Sequence, residues 1–492
     1  MRMGNEYGVP GFPASAIEGG RPMKREALVV AVVVVLALCC GFALASEQVV
    51  SCCDQAGSSL WSASLSFEET ISPYESARIH QIRSGPEGQV YVRSSGAVGK
   101  YDSLGSLMWQ ENNWVGDLAL DSQGSLFYVY YRSDSDRGIK KLGQNSATVW
   151  LQDDEETCSM AIAMDADDHV YLLRSTRELD DVTGQFWCSY APYRLEKRTA
   201  SGNLEWEEEI DDIDWSIALE IDTTNGVYVV GSTIEDNHDV GIVTCFDLEG
   251  GRIFSTRMRD FYPSAFVPAI DGGFVVGNYG TWGNGEVRRY NAAGQWQWEY
   301  DLPWEIDMVY AYPTYVVDLA IDNVDRVIAT GVESAVGGSW EQPALVERVV
   351  TTLLSSDGQE LWTHKLAGYF GWAEALAPGG EGNVFVAATV CREADGRNVL
   401  ENCANPLFVT FALNSAGEMQ WLSERDDGSG MEEPLDDQDI VVGPNQKVCT
   451  VGTVLSPVPD DDDQSSSDDD TSSDDDQSST DDDDSDSAGC GC

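Results

Sequence analysis

Apolar residues run along this chain in short stretches, and the stretches come in a fixed order. The commonest pair is an apolar run, an Asp/Gly/Asn-rich turn and a second apolar run. It reads LALDSQGSLFYVYY (118–131), AIAMDADDHVYLL (161–173), ALEIDTTNGVYVVGS (218–232), PAIDGGFVVGN (268–278), LAIDNVDRVIATG (319–331) and ALAPGGEGNVFVAAT (375–389). β-Branched and aromatic residues on both sides of such a turn predict a hairpin, strands A and B. A turn Asp accepts backbone amides, and Gly supplies the positive φ of a tight loop. A third run, strand C, follows as AVGKYD (97–102), YRLEKR (193–198), GIVTCFD (241–247), EVRRYN (286–291) and FVTFAL (408–413). It leads into a second turn and strand D. No extended stretch carries the 3.6-residue period of a helix.

The turn before strand D ends in Gly-x-x-x-Trp and recurs eight times. The copies are GSSLW (57–61), GSLMW (105–109), SATVW (146–150), GNLEW (202–206), GGRIF (250–254), GQWQW (294–298), GQELW (358–362) and GEMQW (417–421). Ser146 stands for the glycine in one copy and Phe254 for the tryptophan in another. Four strands per roughly 50 residues is the unit of a β-propeller. Residues 440–454 read as strands A and B with no C or D after them, and residues 49–64 as C and D with no A or B before them. The chain is therefore expected to be an all-β, eight-bladed β-propeller over 46–458, closed by one blade shared between its N- and C-terminal strands.

Composition changes what lies at either end. The formal charge is −55, with 84 acidic against 29 basic residues. Such a surface repels nucleic acid and anionic membranes and suits divalent cations, cationic ligands or high salt. Fifteen aspartates fall between Asp460 and Asp486, in a 459–492 segment that cannot bury apolar surface and is expected to be a disordered acidic tail. It ends in Cys490-Gly-Cys492, a pattern compatible with surface attachment, a redox pair or an incidental terminus. At the other end Met23-Lys24-Arg25, the apolar run 27–38 and Ala43-Leu44-Ala45 describe a secretory signal peptide cleaved after Ala45. Met23 is the expected start, residues 1–22 lying upstream of it. The alternative is an uncleaved membrane anchor over 27–45. Cleavage implies an extracellular or cell-surface location after Sec-type export, and the alternative implies anchoring to the membrane.

Export permits disulfides. No cysteine spacing fits a zinc site. Cys449 on the last strand B should lie beside the strand carrying Cys52 and Cys53 and bridge to one of them. Cys391 with Cys403, and Cys158 with Cys188, flank insertions that such bonds would tie down.

Candidate chemistry is sparse. The four histidines, His80, His169, His238 and His364, fall in different blades, with His169 in an A–B turn and His238 in a B–C loop, both expected to be solvated. No nucleophile elbow or phosphate loop occurs in the required context. Asp117, Asp318 and Asp439 share one strand-A position in three blades. Strand A lines a propeller's channel, so these carboxylates either converge on a cation such as Ca²⁺ or bond backbone amides of a neighbouring blade. Trp114, Trp187, Trp282 and Trp304 lie outside the repeat position and are candidates for an exposed binding face.

The D/N-x-x-G-x-x-x-W turn resembles the quinoprotein-type (PQQ-like) repeat. The "IDTTNGVYVVGS…VGIVTCFDLEG" unit is similar to the SBBP-type repeats of secreted bacterial surface proteins. In the quinoprotein family the Trp motif locks neighbouring blades, so the resemblance implies packing rather than cofactor binding. The expectation is a monomeric, secreted, non-enzymatic scaffold that needs no cofactor, with Ca²⁺ as an optional ligand and a protein or carbohydrate partner at a loop face. The alternatives are a quinoprotein-like periplasmic enzyme using the channel, and a carbohydrate-active propeller with paired carboxylates.

Overall fold

A computed structural model describes residues 45–455, apart from 55, 57–58, 69–80, 94–95, 113, 134–135, 154–156, 180–185, 223–225, 280–284, 303–314, 340–341, 393–405, 427–438 and 444–446. The leader and the acidic tail lie outside the described residues. The strands form eight four-stranded sheets. Seven are consecutive in sequence: 81–111, 114–153, 157–210, 215–259, 263–301, 315–365 and 369–426. The A strands of neighbouring blades touch each other all the way round, so the eight sheets close one ring with strand A innermost. Among the described residues no helix is long and apolar enough to cross a membrane.

The eighth sheet is the expected composite. Strand A (Asp439–Val442) and strand B (Val448–Leu455) come from the end of the chain, and strand C (Ala45–Cys53) and strand D (Ser59–Glu68) from its beginning. Cys52 lies opposite Cys449 in the B–C pairing, and the two form a disulfide with a Cα–Cα distance of 4.1 Å. Of the two cysteines offered by the sequence, Cys52 is the partner. Cys53 and Cys391 are also disulfide-bonded. Cys403, and the side chains of Cys158 and Cys188, fall outside the described residues.

Burial follows each strand's place in the blade. Strand B is covered by a neighbouring blade on both faces, so Val90–Arg93 and the first eight residues of Gly226–Glu235 are buried without alternation. This explains why the B runs read as continuous apolar stretches. Strand D lies at the outer edge and alternates, as in Trp296–Asp301. The core is accordingly a set of layers between blades. Tyr91 and Val98 of the first blade, for example, pack on Val115, Leu118 and Tyr128 of the second.

The Gly-x-x-x-Trp motif joins these layers. Five of the motif indoles donate their N–H to a carbonyl in the C–D turn of the next blade: Trp109 to Gln144 (3.1 Å), Trp150 to Ala200 (3.0 Å), Trp206 to Leu248 (3.0 Å), Trp298 to Ser356 (3.0 Å) and Trp362 to Ser415 (3.1 Å). The ring then lies against that turn's glycine. A Cβ at Gly358 would meet Trp298 at 2.7 Å, and one at Gly417 would meet Trp362 at 2.6 Å. Both glycines also have positive φ, +82° and +77°, so the position needs Gly for space and for conformation.

In the first three blades a strand-C lysine adds a second donor. The ammonium groups of Lys100, Lys141 and Lys197 reach the same carbonyls as the neighbouring indoles, at 3.4, 3.4 and 3.0 Å. Their cations also lie 5.0, 4.4 and 5.5 Å from the ring centres of Tyr91, Phe127 and Tyr171. The two irregular copies are each accommodated. Phe254 has no N–H, and the link passes instead through the Thr256 hydroxyl, which donates to the Gly294 carbonyl at 2.8 Å. Ser146 keeps the turn but adopts φ 62°, where glycine is at ease and serine is not.

Two outcomes follow. Closing a 397-residue span, the Cys52–Cys449 bond stabilises on the order of 5 kcal/mol in the loop-entropy account. C449S should lower the melting temperature markedly, and the variant should no longer respond to reductant at this bond. A C449S chain as stable as the oxidised wild type would show that the bridge does not secure closure. S146G should raise stability by about 0.5–1 kcal/mol in denaturant titrations, because it restores the residue that the left-handed turn position favours.

Candidate functional site: the axial channel

Each blade contributes its strand A to the channel wall, and the A–B turns frame one mouth. Four residues before the turn, the wall carries Gln81, Asp117, Ala161, Ala218, Ala265, Asp318, Ala375 and Asp439. The three aspartates singled out by the sequence are thus brought to one ring. Each spans two A strands. Asp117 accepts the amides of Leu118 (2.8 Å) and of Ile162 in the next blade (2.8 Å). Asp318 does the same with Leu319 (2.8 Å) and Leu376 (2.8 Å), and Asp439 with Ile440 (2.8 Å) and Ile82 (2.9 Å). Gln81 continues the series, its side-chain carbonyl accepting Leu118 N–H at 3.2 Å. The second of the two roles open to these carboxylates, bonding a neighbour's backbone amide, is therefore present at all three. All three remain half-buried, with surface left toward the channel.

Two channel groups escape a search for shared positions. Two residues before the turn, where Ala119, Ala163, Ala320 and Ala377 line the wall, stand Arg83 of the first blade and Glu220 of the fourth. Neither recurs, so only the assembled ring reveals that they face Asp117 and its companions. Arg83 Nη1 lies 3.5 Å from Asp439 Oδ2. Glu220 is exposed to the channel. The carboxylates fall on the second, fourth, sixth and eighth blades, so Asp117 faces Asp318 across the ring and Glu220 faces Asp439.

Removal from bulk water raises the proton affinity of three of these acids, Glu220, Asp318 and Asp439. Glu220 is pushed up to about 7, first by its removal from bulk water and then by Asp117, with Arg83 opposing. Asp318 is also pushed up to about 7, by burial first, against the amides of Leu376 and Leu319, and with repulsion from Asp439 and Glu220. Asp439 moves in the same direction for the same leading reason, opposed by Arg83.

The mouth at the A–B turns opens a cavity of about 960 Å³ lined by Arg83, Leu120, Met164, Ile321, Pro378 and Val442 among others. Its turn acids are already engaged. Asp121 caps the amides of Gln123 and Ser125 and pairs with Lys141 at 3.1 Å. Asp322 caps Val324 and Arg326 and pairs with the Arg326 guanidinium at 2.6 Å. Asp165 caps Asp167 and His169 amides and meets His169 Nδ1 at 2.9 Å, so His169 is held by its turn rather than simply solvated. His238 opens strand C and pairs with Asp260. Across two blades, Asp168 accepts both the amide and the hydroxyl of Ser122.

The tryptophans outside the repeat are less informative. Trp114 begins strand A of the second blade, its backbone paired with Tyr131, and Trp187 lies on strand C of the third. Their side chains, and Trp282 and Trp304 entirely, fall outside the described residues.

No protein-family model and no curated protein matches the sequence. Among solved structures the chain is similar to the propeller of Dos1 at 10% identity, with a TM-score of 0.44, over 76% of this chain and 88% of that one. It is similar to a eukaryotic initiation factor at 9% identity and TM-score 0.40, over 77% and 96%. It is also similar to a gluconolactonase from Xanthomonas campestris at 13% identity and TM-score 0.33, over 52% and 84%. These likenesses are too distant to bear on ligand or activity, and the fold assignment rests on the eight sheets of this chain.

The raised acids set a pH dependence of stability. Glu220 binds its proton more tightly folded than unfolded, from a usual 4.5 to about 7. Between those values the folded state holds more protons than the unfolded one, so stability falls as pH rises through the window. E220Q should therefore raise the melting temperature at pH 8 and leave it unchanged at pH 4, where the carboxyl is protonated in both states. An equal shift at both pH values would remove the electrostatic account.

Proposed function

We propose that the protein is an exported, non-enzymatic propeller that works as a binding scaffold, taking a cationic group of a protein partner into its axial channel. The observation that carries this reading is the placement of four carboxylates on alternate blades around one channel, with the Arg83 guanidinium among them. Charge of one sign concentrated in a low-dielectric cleft attracts and orients the opposite sign. Three of the four carboxylates already hold backbone amides, which favours a rigid acceptor wall over a proton-shuttling pair. The Cys52–Cys449 bond supports passage through an oxidising compartment. The repeat turns support kinship with quinoprotein-type and SBBP-type blades used for packing.

The geometry bears on the kind of cation. Ca²⁺ draws several oxygens to within 2.3–2.6 Å, about a single coordination sphere. Among the described residues no three His, Cys, Asp or Glu side chains are close enough together to hold one metal ion. Carboxylates on opposite walls suit a larger, hydrated or organic cation, such as an arginine or lysine side chain, better than a bare metal. Aliphatic wall residues near the mouth, including Leu120, Met164 and Ile321, suit the stem of such a side chain.

The test uses a fluorescent Gly-Arg-Gly-Arg-Gly peptide, measured by anisotropy at physiological salt. E220Q should weaken binding at least about tenfold, equivalent to about 1.4 kcal/mol, while E208Q on an outer strand leaves it unchanged. Equal losses in the two variants would show general attraction to an acidic surface and end the channel reading. Competition by Ca²⁺ at micromolar concentration would replace the organic cation with the metal.

A further inference from the structure

We propose that the rim of the third and fourth blades is a contact surface for a second copy of this chain, joined about a two-fold axis parallel to the ring axis. Charge points to that occupant. Neighbouring outer strands carry opposite signs, in an order that a half-turn sets against itself, so the expected monomer gives way to a pair.

Strand D ends each sheet, and no other described strand pairs with its outer edge. In the third blade that strand is Leu204–Ile210 (LEWEEEI), with Glu205, Glu207, Glu208 and Glu209 exposed. In the fourth it is Arg252–Arg259 (RIFSTRMR), with Arg252, Arg257 and Arg259 exposed and no acid among its residues. The other outer strands hold Lys365 and Arg425 as their only lysine and arginine. In a chain of charge −55, three guanidiniums on one edge stand apart. Local acids neutralise them without using up their donors. Arg252 and Arg257 share Asp212 at 3.9 and 4.0 Å, Arg257 also meets Glu235, and Arg259 lies 3.9 Å from Asp260. The three side chains remain 39, 41 and 64% exposed, and each guanidinium has several N–H groups to offer. On the acidic edge Glu205 and Glu207 lie 3.7 and 3.6 Å from Lys197 and Arg194. Glu208 and Glu209 pair with no basic group among the described residues.

Trp206 and Phe254 hold the same motif position, so they mark equal heights on the two strands. Glu209 therefore stands level with Arg257, and Leu204 with Arg252. A half-turn about an axis parallel to the ring axis, just outside the junction of the two blades, preserves height and exchanges the edges. The acidic strand of one copy then faces the basic strand of its partner, and the same contact occurs twice. An axis lying along the rim would set each edge against its own copy, Glu against Glu and Arg against Arg. Leu204 and Ile253, 47 and 48% exposed beside the C–D turns, leave water in the same contact. The large total charge does not forbid this approach. At physiological salt it is screened within about 8 Å, so each edge responds chiefly to the edge it faces. Both A–B mouths open on one side of such a pair, so the two channels proposed above for cationic groups serve one partner together.

Sedimentation equilibrium of the oxidised full chain, at about 0.15 M salt and up to about 100 μM, should give twice the mass of the chain. R252E/R257E/R259E has two acidic edges and E207R/E208R/E209R two basic ones, and each should associate at least about tenfold more weakly than wild type. An equal mixture of the two should recover the wild-type affinity, because every acidic edge again meets a basic one, and that recovery also shows both variants folded. Where a triple variant melts without cooperativity, R257E and E209R make the same exchange at one level pair. Raising the salt to about 1 M should weaken the wild-type pair, as ionic contacts are screened. A wild type that stays monomeric overturns the proposal, and so does a variant that associates like wild type or a mixture that recovers nothing. Association that is unchanged by high salt overturns it as well, since apolar burial would then hold the copies together.

Discussion

The ring depends on the contact between a tryptophan of one blade and the glycine turn of the next. A four-stranded sheet of this size has two apolar faces and cannot hide either by itself. The indole supplies both parts of the solution, a large flat surface to cover the neighbour's turn and one N–H to fix its position. The glycine supplies the space in which the ring lies. Because the partner turn belongs to the following blade, each such contact counts once per junction, and the junctions together determine the shape. Where Phe254 departs from the pattern, the link is preserved by other chemistry, the Thr256 hydroxyl donating where the phenyl ring cannot.

Much of this was readable because blade packing imposes the same local rule at every repeat. The recurring Gly-x-x-x-Trp and the Asp-rich hairpins predicted strand order, blade number and the shared closing blade, and the described strands agree with them. Repetition is also why Asp117, Asp318 and Asp439 were found: they stand at equal distance from equivalent turns. What repetition does not reveal is a residue used once. Arg83 and Glu220 occupy a wall position that is alanine in several blades, and their importance comes only from which residues lie opposite in the closed ring. The buried strand-C lysines are not legible in the sequence for a related reason. Lysine in a strand reads as surface, and only the neighbouring carbonyl and aromatic ring explain its burial.

The channel wall shows structural and electrostatic roles combined in the same side chains. An aspartate that accepts amides from two A strands ties them together most strongly when ionised. Several such ions around one axis repel each other, and at Asp318 that repulsion adds to burial in raising its proton affinity. The ring thus stores a repulsion, which a cation bound as proposed above would relieve without any movement of the blades. Paired turn acids at the mouth, such as Asp121 with Lys141 and Asp322 with Arg326, keep that repulsion concentrated inside.

The composite blade also has a mechanical meaning. Ser46 and Leu455 are neighbours at one end of an antiparallel strand pair. Tension applied between the beginning of the folded chain and its acidic tail therefore pulls both strands from the same end, in the peeling direction in which hydrogen bonds break one after another. Six residue pairs, Ser46–Leu455 to Ser51–Thr450, stand between that end and the Cys52–Cys449 bond. A tethered molecule under load would extend by the length of those pairs and then stop at a covalent clasp, with the remaining seven blades shielded from the force.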